Sequence, residues 1–137
     1  MDEADLLFQL DGDADVMKYI TLGIPRTMDE VIENSMPRIL KSYQDKTDFG
    51  IFAAYLINSE KYIGWFQFEK DKEFEDSIEI GWRLKKQYWG NGYATEVATV
   101  LCELGIKMGK TIVARAMIEN LASIRVMEKA GLKYVEE

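Results

Sequence analysis

Histidine is absent from the 137 residues of this chain, cysteine occurs once and proline twice. Without imidazole, Ser-His-Asp and Cys-His nucleophile systems are excluded and most zinc sites with them, so a general base must be a carboxylate, a tyrosine, a lysine or water. A lone Cys102 cannot close an internal disulfide, and beside seven methionines it fits a reducing, cytoplasmic compartment. No apolar stretch approaches the roughly 20 residues that cross a bilayer, and the acidic start, Met1-Asp2-Glu3-Ala4-Asp5, is the reverse of a secretory leader. The expectation is a soluble protein with no membrane partner. With 47% hydrophobic residues, the 137 positions suffice for one domain with a real core, over residues 1–137.

Positive charge is scarce in one half only. Residues 1–80 hold 8 Lys and Arg against 18 Asp and Glu, whereas residues 81–137 hold 9 against 6. An acidic first half repels nucleic acid and suits a cationic partner, although such asymmetry also serves plain solubility. The run Asp11-Gly12-Asp13-Ala14-Asp15 begins like a calcium loop, but Val16 takes the place of the required glycine and Leu22 that of the bidentate Glu, so no metal is expected.

Leu6, Leu7, Leu10, Val16, Met17 and Ile20 recur at helical spacing, which predicts two short helical pieces broken at Asp11 to Asp13. Thr27 with Glu30 makes a capping box for a helix through Tyr43, which Pro37 should kink or restart. Phe49 to Ile57 and Tyr62 to Phe68 read as a hairpin, followed by a strand from Ser77 to Leu84. In that strand Ile78, Ile80, Trp82 and Leu84 face one way and Glu79, Gly81 and Arg83 the other; Gly81 suggests a bulge or a close approach. A long helix from Tyr93 to Met108, a buried strand from Thr111 to Met117, a helix from Asn120 to Ala130 and a strand beginning at Leu132 complete the chain. The order is that of an α/β domain, a central mixed sheet flanked by helices.

Between the third strand and the long helix lies Gln87-Tyr88-Trp89-Gly90-Asn91-Gly92-Tyr93-Ala94. Two glycines that free backbone amides at a helix N-terminus make a place for phosphate. The Rossmann fingerprint would need a glycine where Thr95 stands, and a P-loop would need Gly-Lys-Ser/Thr, so neither applies. A plain tight turn before a helix is the bland alternative. Tyr88, Trp89 and Tyr93 suit packing around the loop, and Cys102 is expected to be an inert apolar residue.

The run from Ile78 to Ala98, with its Gln87-x-x-Gly90-x-Gly92 core, resembles the acetyl-CoA motif of the GNAT N-acetyltransferases, Gln/Arg-x-x-Gly-x-Gly/Ala. The later Asn120-x-x-Ser123 and Glu128-Lys129-x-Gly131 resemble the RimJ/RimL branch, whose members acetylate protein N-terminal amines. The resemblance covers the chain from Val16 onward. It implies a GNAT-type fold with splayed strands at the acetyl-CoA site. It implies that Gln87 and the amides of Gly90, Asn91, Gly92, Tyr93 and Ala94 hold the pyrophosphate and that backbone around Trp82, Arg83 and Leu84 pairs with the pantetheine. Lys85 and Lys86 either assist the phosphates or are simply solvated.

By the same resemblance Asn120 would bond the pantetheine and Ser123 would stabilise the departing CoA thiolate. The residues alone also allow Asn120 as a helix cap and Ser123 as a packing residue. With no histidine, a carboxylate acting through water is the natural base for the amine, and Glu79 on the strand bordering the acyl site is the candidate; the competing reading pairs it with a cation or leaves it to solvent. The implied reaction is direct attack of a primary amine on acetyl-CoA in a ternary complex. The acceptor would be a ribosomal or other protein N-terminus, a polyamine or an aminoglycoside. A catalytically silent CoA-binding domain is the alternative. Members of the branch begin with an Arg- and Leu-rich strand and end with one further strand, neither of which is expected here. That would leave a sheet edge open and remove part of the acceptor pocket, as in a chain truncated at both ends or a protomer whose gap a partner fills in a homodimer.

Overall fold

The computed structural model describes residues 3–18, 20–21, 23–42, 49–57, 59–74, 76–115 and 120–132. Helix α1, Glu3–Asp11, ends where Gly12 begins a series of turns, stapled by Gly12 N–H to the Phe8 carbonyl at 2.9 Å and Met17 N–H to the Asp13 carbonyl at 3.1 Å. The second helical piece expected up to Ile20 is therefore turn, not helix. Its apolar spacing has another cause: Leu10 and Met17 are fully buried, and with Val16 and Tyr62 they form a small core beneath Trp65.

The capping box is present, with Thr27 Oγ1 accepting from the Glu30 N–H and Glu30 returning to the Thr27 N–H. Helix α2, Met28–Glu30, runs through a π-helical turn, Val31–Ser35, into α3, Met36–Ser42. The anomaly expected from Pro37 falls in the turn before it, where its missing N–H and its ring disturb the preceding ladder. Tyr43 lies outside the described residues.

Strands β1, Gly50–Tyr55, β2, Tyr62–Lys70, and β3, Ser77–Leu84, form an antiparallel meander, and β4, Thr111–Val113, adds to β3 in parallel. The order β1-β2-β3-β4 leaves β1 at one edge of the described sheet. Gly81 marks no bulge, since β2 and β3 pair without a break; the Gln67 side chain lies across it. The β4 strand stops short of the expected Met117, which falls outside the described residues, as does the strand expected after Leu132.

Helices α4, Tyr93–Lys107, and α5, Leu121–Lys129, cover one sheet face. There Phe68, Ile78 and Ile80 pack on Ala98 and Cys102, with Val126 and Ala130 at the margin, and Ile63, Phe66 and Leu84 meet Tyr88, Tyr93 and Val97. Cys102 is buried and desolvation raises its thiol pKa, in keeping with an inert residue. The opposite face carries α1 and the polar side chains of Gln67, Glu69, Glu79 and Arg83. Among the described residues no helix is long and apolar enough to cross a membrane.

Candidate acyl-donor site

Beyond its pairing with β4, which ends at Glu79 opposite Val113, β3 runs on through Ile80 to Leu84 with no strand on that edge among the described residues. The exposed edge leads to a 3-10 turn, Lys86–Tyr88, and then to Gly90 and Gly92, both in the left-handed region at φ 78° and 81°. Only glycine takes that conformation cheaply, and nothing lies within 4 Å of where a β-carbon would project at either position. Gly92 is the N-cap of α4, and no side chain caps it. The first amides of α4 therefore face open space at the positive end of a 15-residue helix.

Two side chains hold the loop in shape. The Trp89 indole donates to the Leu84 carbonyl at 3.0 Å, and the Asn91 amide donates to the carbonyls of Tyr88 and Trp89 at 3.2 and 3.3 Å. Asn91 thus braces the loop from inside it. The Tyr88 and Tyr93 rings pack at 6.4 Å beneath, whereas Trp89 stays half exposed.

A cavity of about 360 Å³ opens on this edge. It is lined by Trp82, Arg83 and Leu84 of β3, by Gly90, Gly92, Tyr93 and Ala94 of the loop and α4, and by Asn120, Ser123 and Val126 of α5. Of the residues expected at the donor site, Gln87 and Asn91 do not line it. The apolar α5 residues at the cavity are Ala122 and Val126. Asn120 is the N-cap of α5, and its side-chain oxygen accepts from the Ser123 N–H at 3.2 Å.

Three features were not read from the sequence. The turn after α1 supplies Asp15, Val16 and Ile20 as a wall, and α5 adds the cations Arg125 and Lys129 at i, i+4 spacing, a signal that was open to reading. Lys85 and Lys86 are engaged elsewhere: their ammonium groups donate to Gln9 at 2.8 Å and to Asp15 at 2.6 Å. The bond from Lys86 lowers the pKa of the exposed Asp15 carboxyl.

Glu79 sits at the last paired position before the β3 edge opens and does not line the cavity. Its carboxylate accepts from Arg115 at 2.9 Å and from the Gln67 amide at 3.2 Å. Arg115 also binds Asp71 at 2.6 Å and Glu73 at 3.2 Å, and its hydrogen bonds to Asp71 and then to Glu79 raise its pKa. The ion pairing weighed against the base role is therefore present, and Arg115 fixes where the Glu79 carboxylate stands.

Residues 1–133 match the family described as acetyltransferase (GNAT) domain. The FsC-acetyl coenzyme A-N(2)-transacetylase of Aspergillus fumigatus is 30% identical over 96% of this chain, which spans 59% of that protein's length. A Bacillus subtilis protein named uncharacterized N-acetyltransferase YnaD is 31% identical over 93% of the chain and 71% of its own length. Among solved structures, a GNAT-family acetyltransferase from Bacillus anthracis superposes with a TM-score of 0.75 at 30% identity, over 94% of this chain and 73% of that one. Aminoglycoside acetyltransferase AAC(6')-Ib, solved with coenzyme A, shares the fold at a TM-score of 0.71 and 24% identity, over 96% and 80% of the two chains.

Proposed function

The chain belongs to the GNAT acetyltransferase domain family, and we propose that it moves the acetyl group of acetyl-CoA onto a primary amine by direct attack in a ternary complex. The observation that carries this reading is the unpaired β3 edge from Ile80 to Leu84 leading straight into the uncapped N-terminus of α4. The edge offers backbone donors and acceptors to an extended amide chain, and the amides of Gly92, Tyr93 and Ala94 suit a pyrophosphate. Asn91 serves by bracing the loop. The Aspergillus relative, with acetyl coenzyme A and N(2)-transacetylase in its name, and the fold shared with an enzyme solved with coenzyme A support the same donor.

In the transfer the amine nitrogen bonds the acyl carbon, the carbon–sulfur bond breaks and the amine proton must leave. Glu79, anchored by Arg115 and Gln67 where the strands part, takes that proton through water. The Ser123 hydroxyl, on the α5 wall of the cavity, hydrogen-bonds the thiolate as it departs, and Asn120 bonds the pantetheine while capping α5.

Carboxylates outnumber cations around Glu79, which suits a protonated amine as acceptor. The Asn120-x-x-Ser123 and Glu128-Lys129-x-Gly131 patterns support the RimJ/RimL-like branch and make a protein N-terminal amine the first acceptor to try. The test is CoA-thiol release from acetyl-CoA against ribosomal-protein N-terminal peptides, polyamines and aminoglycosides. Release that depends on one class of amine is the expected result. Thermal stabilisation by CoA with no amine-dependent release would instead mark a silent CoA-binding domain.

A further inference from the structure

Asp11 ends α1 with 1% of its surface exposed, and it is a carboxylate that the transfer reaction does not use. Two guanidiniums reach it from distant parts of the chain, Arg83 at 2.6 Å and Arg26 at 3.2 Å, and the Ser35 hydroxyl donates at 3.3 Å. Its main-chain carbonyl accepts from the Arg26 N–H at 2.7 Å. An ionised carboxylate withdrawn from water needs such partners, and an assembly of this kind contributes little net stability while allowing only one arrangement of the elements it joins.

Those elements are the two sides of the donor cavity. Arg83 belongs to the unpaired β3 edge, lines the cavity and stacks over the Trp65 ring at 5.0 Å. Its Nε is buried without a hydrogen-bond partner, so among the described residues its polar anchorage rests on Asp11. Directly after Asp11 the chain turns and presents Asp15, Val16 and Ile20 as the wall facing Ser123 and Val126. The seam continues outward through the bonds from Lys85 to Gln9 and from Lys86 to Asp15.

We propose that Asp11 is a positioning residue for the donor site: through Arg83 it fixes the Asp15-to-Ile20 wall against β3, so that the cavity is already formed when acyl-CoA arrives. The inference rests on reading that cavity as the CoA site. It deepens that reading by assigning part of the CoA affinity to a buried carboxylate that touches no CoA atom. Asp11→Asn keeps the shape of the side chain and removes its charge, releasing the wall without opening a void.

Calorimetric titration of CoA into the wild-type chain, Asp11→Asn and Arg26→Gln tests this without needing the acceptor. Each variant is first confirmed folded by circular dichroism at the titration temperature. The expected result is CoA binding weakened about tenfold in Asp11→Asn, because a wall that is no longer pre-organised must be ordered at the cost of binding. Arg26→Gln, altered at a partly exposed side chain outside the cavity, should weaken binding less and in the same direction. A folded Asp11→Asn with wild-type affinity overturns the inference, because a merely structural ion pair would lower the unfolding temperature and leave affinity unchanged. If Asp11→Asn does not fold, wild-type affinity in Arg26→Gln overturns it equally. Failure of the wild-type chain itself to bind CoA would sink the donor-site reading, which is a different result.

Discussion

The side-chain oxygen of Asn120 accepts a hydrogen bond from the backbone N–H of Ser123 at 3.2 Å, so the residue that opens α5 also pins the backbone of Ser123, which lines the cavity. One cap thus serves both the helix and the site. Asn120→Ala is expected to lower stability to urea unfolding by about 1 kcal/mol, the usual worth of an N-cap, and Asn120→Asp to restore it. If Asn120 also bonds the pantetheine, Asn120→Asp regains stability but not the KM for acetyl-CoA, because a carboxylate cannot donate.

Ser123→Ala removes a hydroxyl and leaves the backbone cap intact, so its effect should be confined to the chemical step. The kcat for acetyl transfer is expected to fall on the order of 100-fold with the KM for acetyl-CoA little changed. An unchanged kcat would reduce Ser123 to a packing residue.

Gly64 lies where β2 presses on the donor strand. A β-carbon there would meet the Leu84 Cα at 2.8 Å and collide with the Arg83 carbonyl, both main-chain atoms that cannot rotate away, and φ at this position is 149°. Gly64→Ala should therefore cost about 1–3 kcal/mol in thermal or urea unfolding. It should also weaken CoA binding, because the displaced stretch is the edge proposed to pair with the pantetheine. Gly23→Ala, at a left-handed turn with open space around it, is the control for backbone strain alone.

Arg115 holds the Asp71 carboxyl down at about 2, against its ordinary 3.8, chiefly by its hydrogen bond. Because the folded value is the lower one, this contribution is complete above the ordinary carboxylate range and is lost as pH falls from about 4 to about 2. Urea midpoints measured across that window should drop for the wild-type chain. They should drop less for Arg115→Met, in which Asp71 has lost its guanidinium partner.

The strands were legible because their signals are local. Ser77–Leu84 alternates between the two faces of the sheet, and the Thr27–Glu30 capping box is complete within four residues. The glycine loop was legible for the same reason, since Gly90 and Gly92 are needed by the backbone angles of their own turn. The turn from Val16 to Ile20 misled, because apolar residues spaced for a helix were spaced instead for a small core shared with Tyr62. Lys85 and Lys86 looked free because Gln9 and Asp15, which take their ammonium groups, stand more than 70 residues earlier.

By itself, then, the sequence determined the α/β class, the two-glycine loop at the start of α4 and the absence of imidazole from the chain, all properties of residue type and near-neighbour spacing. Tertiary structure alone decided that β4 leaves β3 after Glu79, that Arg115 takes hold of Glu79, and that Asp11 meets Arg83 across 72 residues. Those are long-range meetings of charge and of strand edges. Their partners are chosen by how the sheet and helices pack, and no local pattern encodes that.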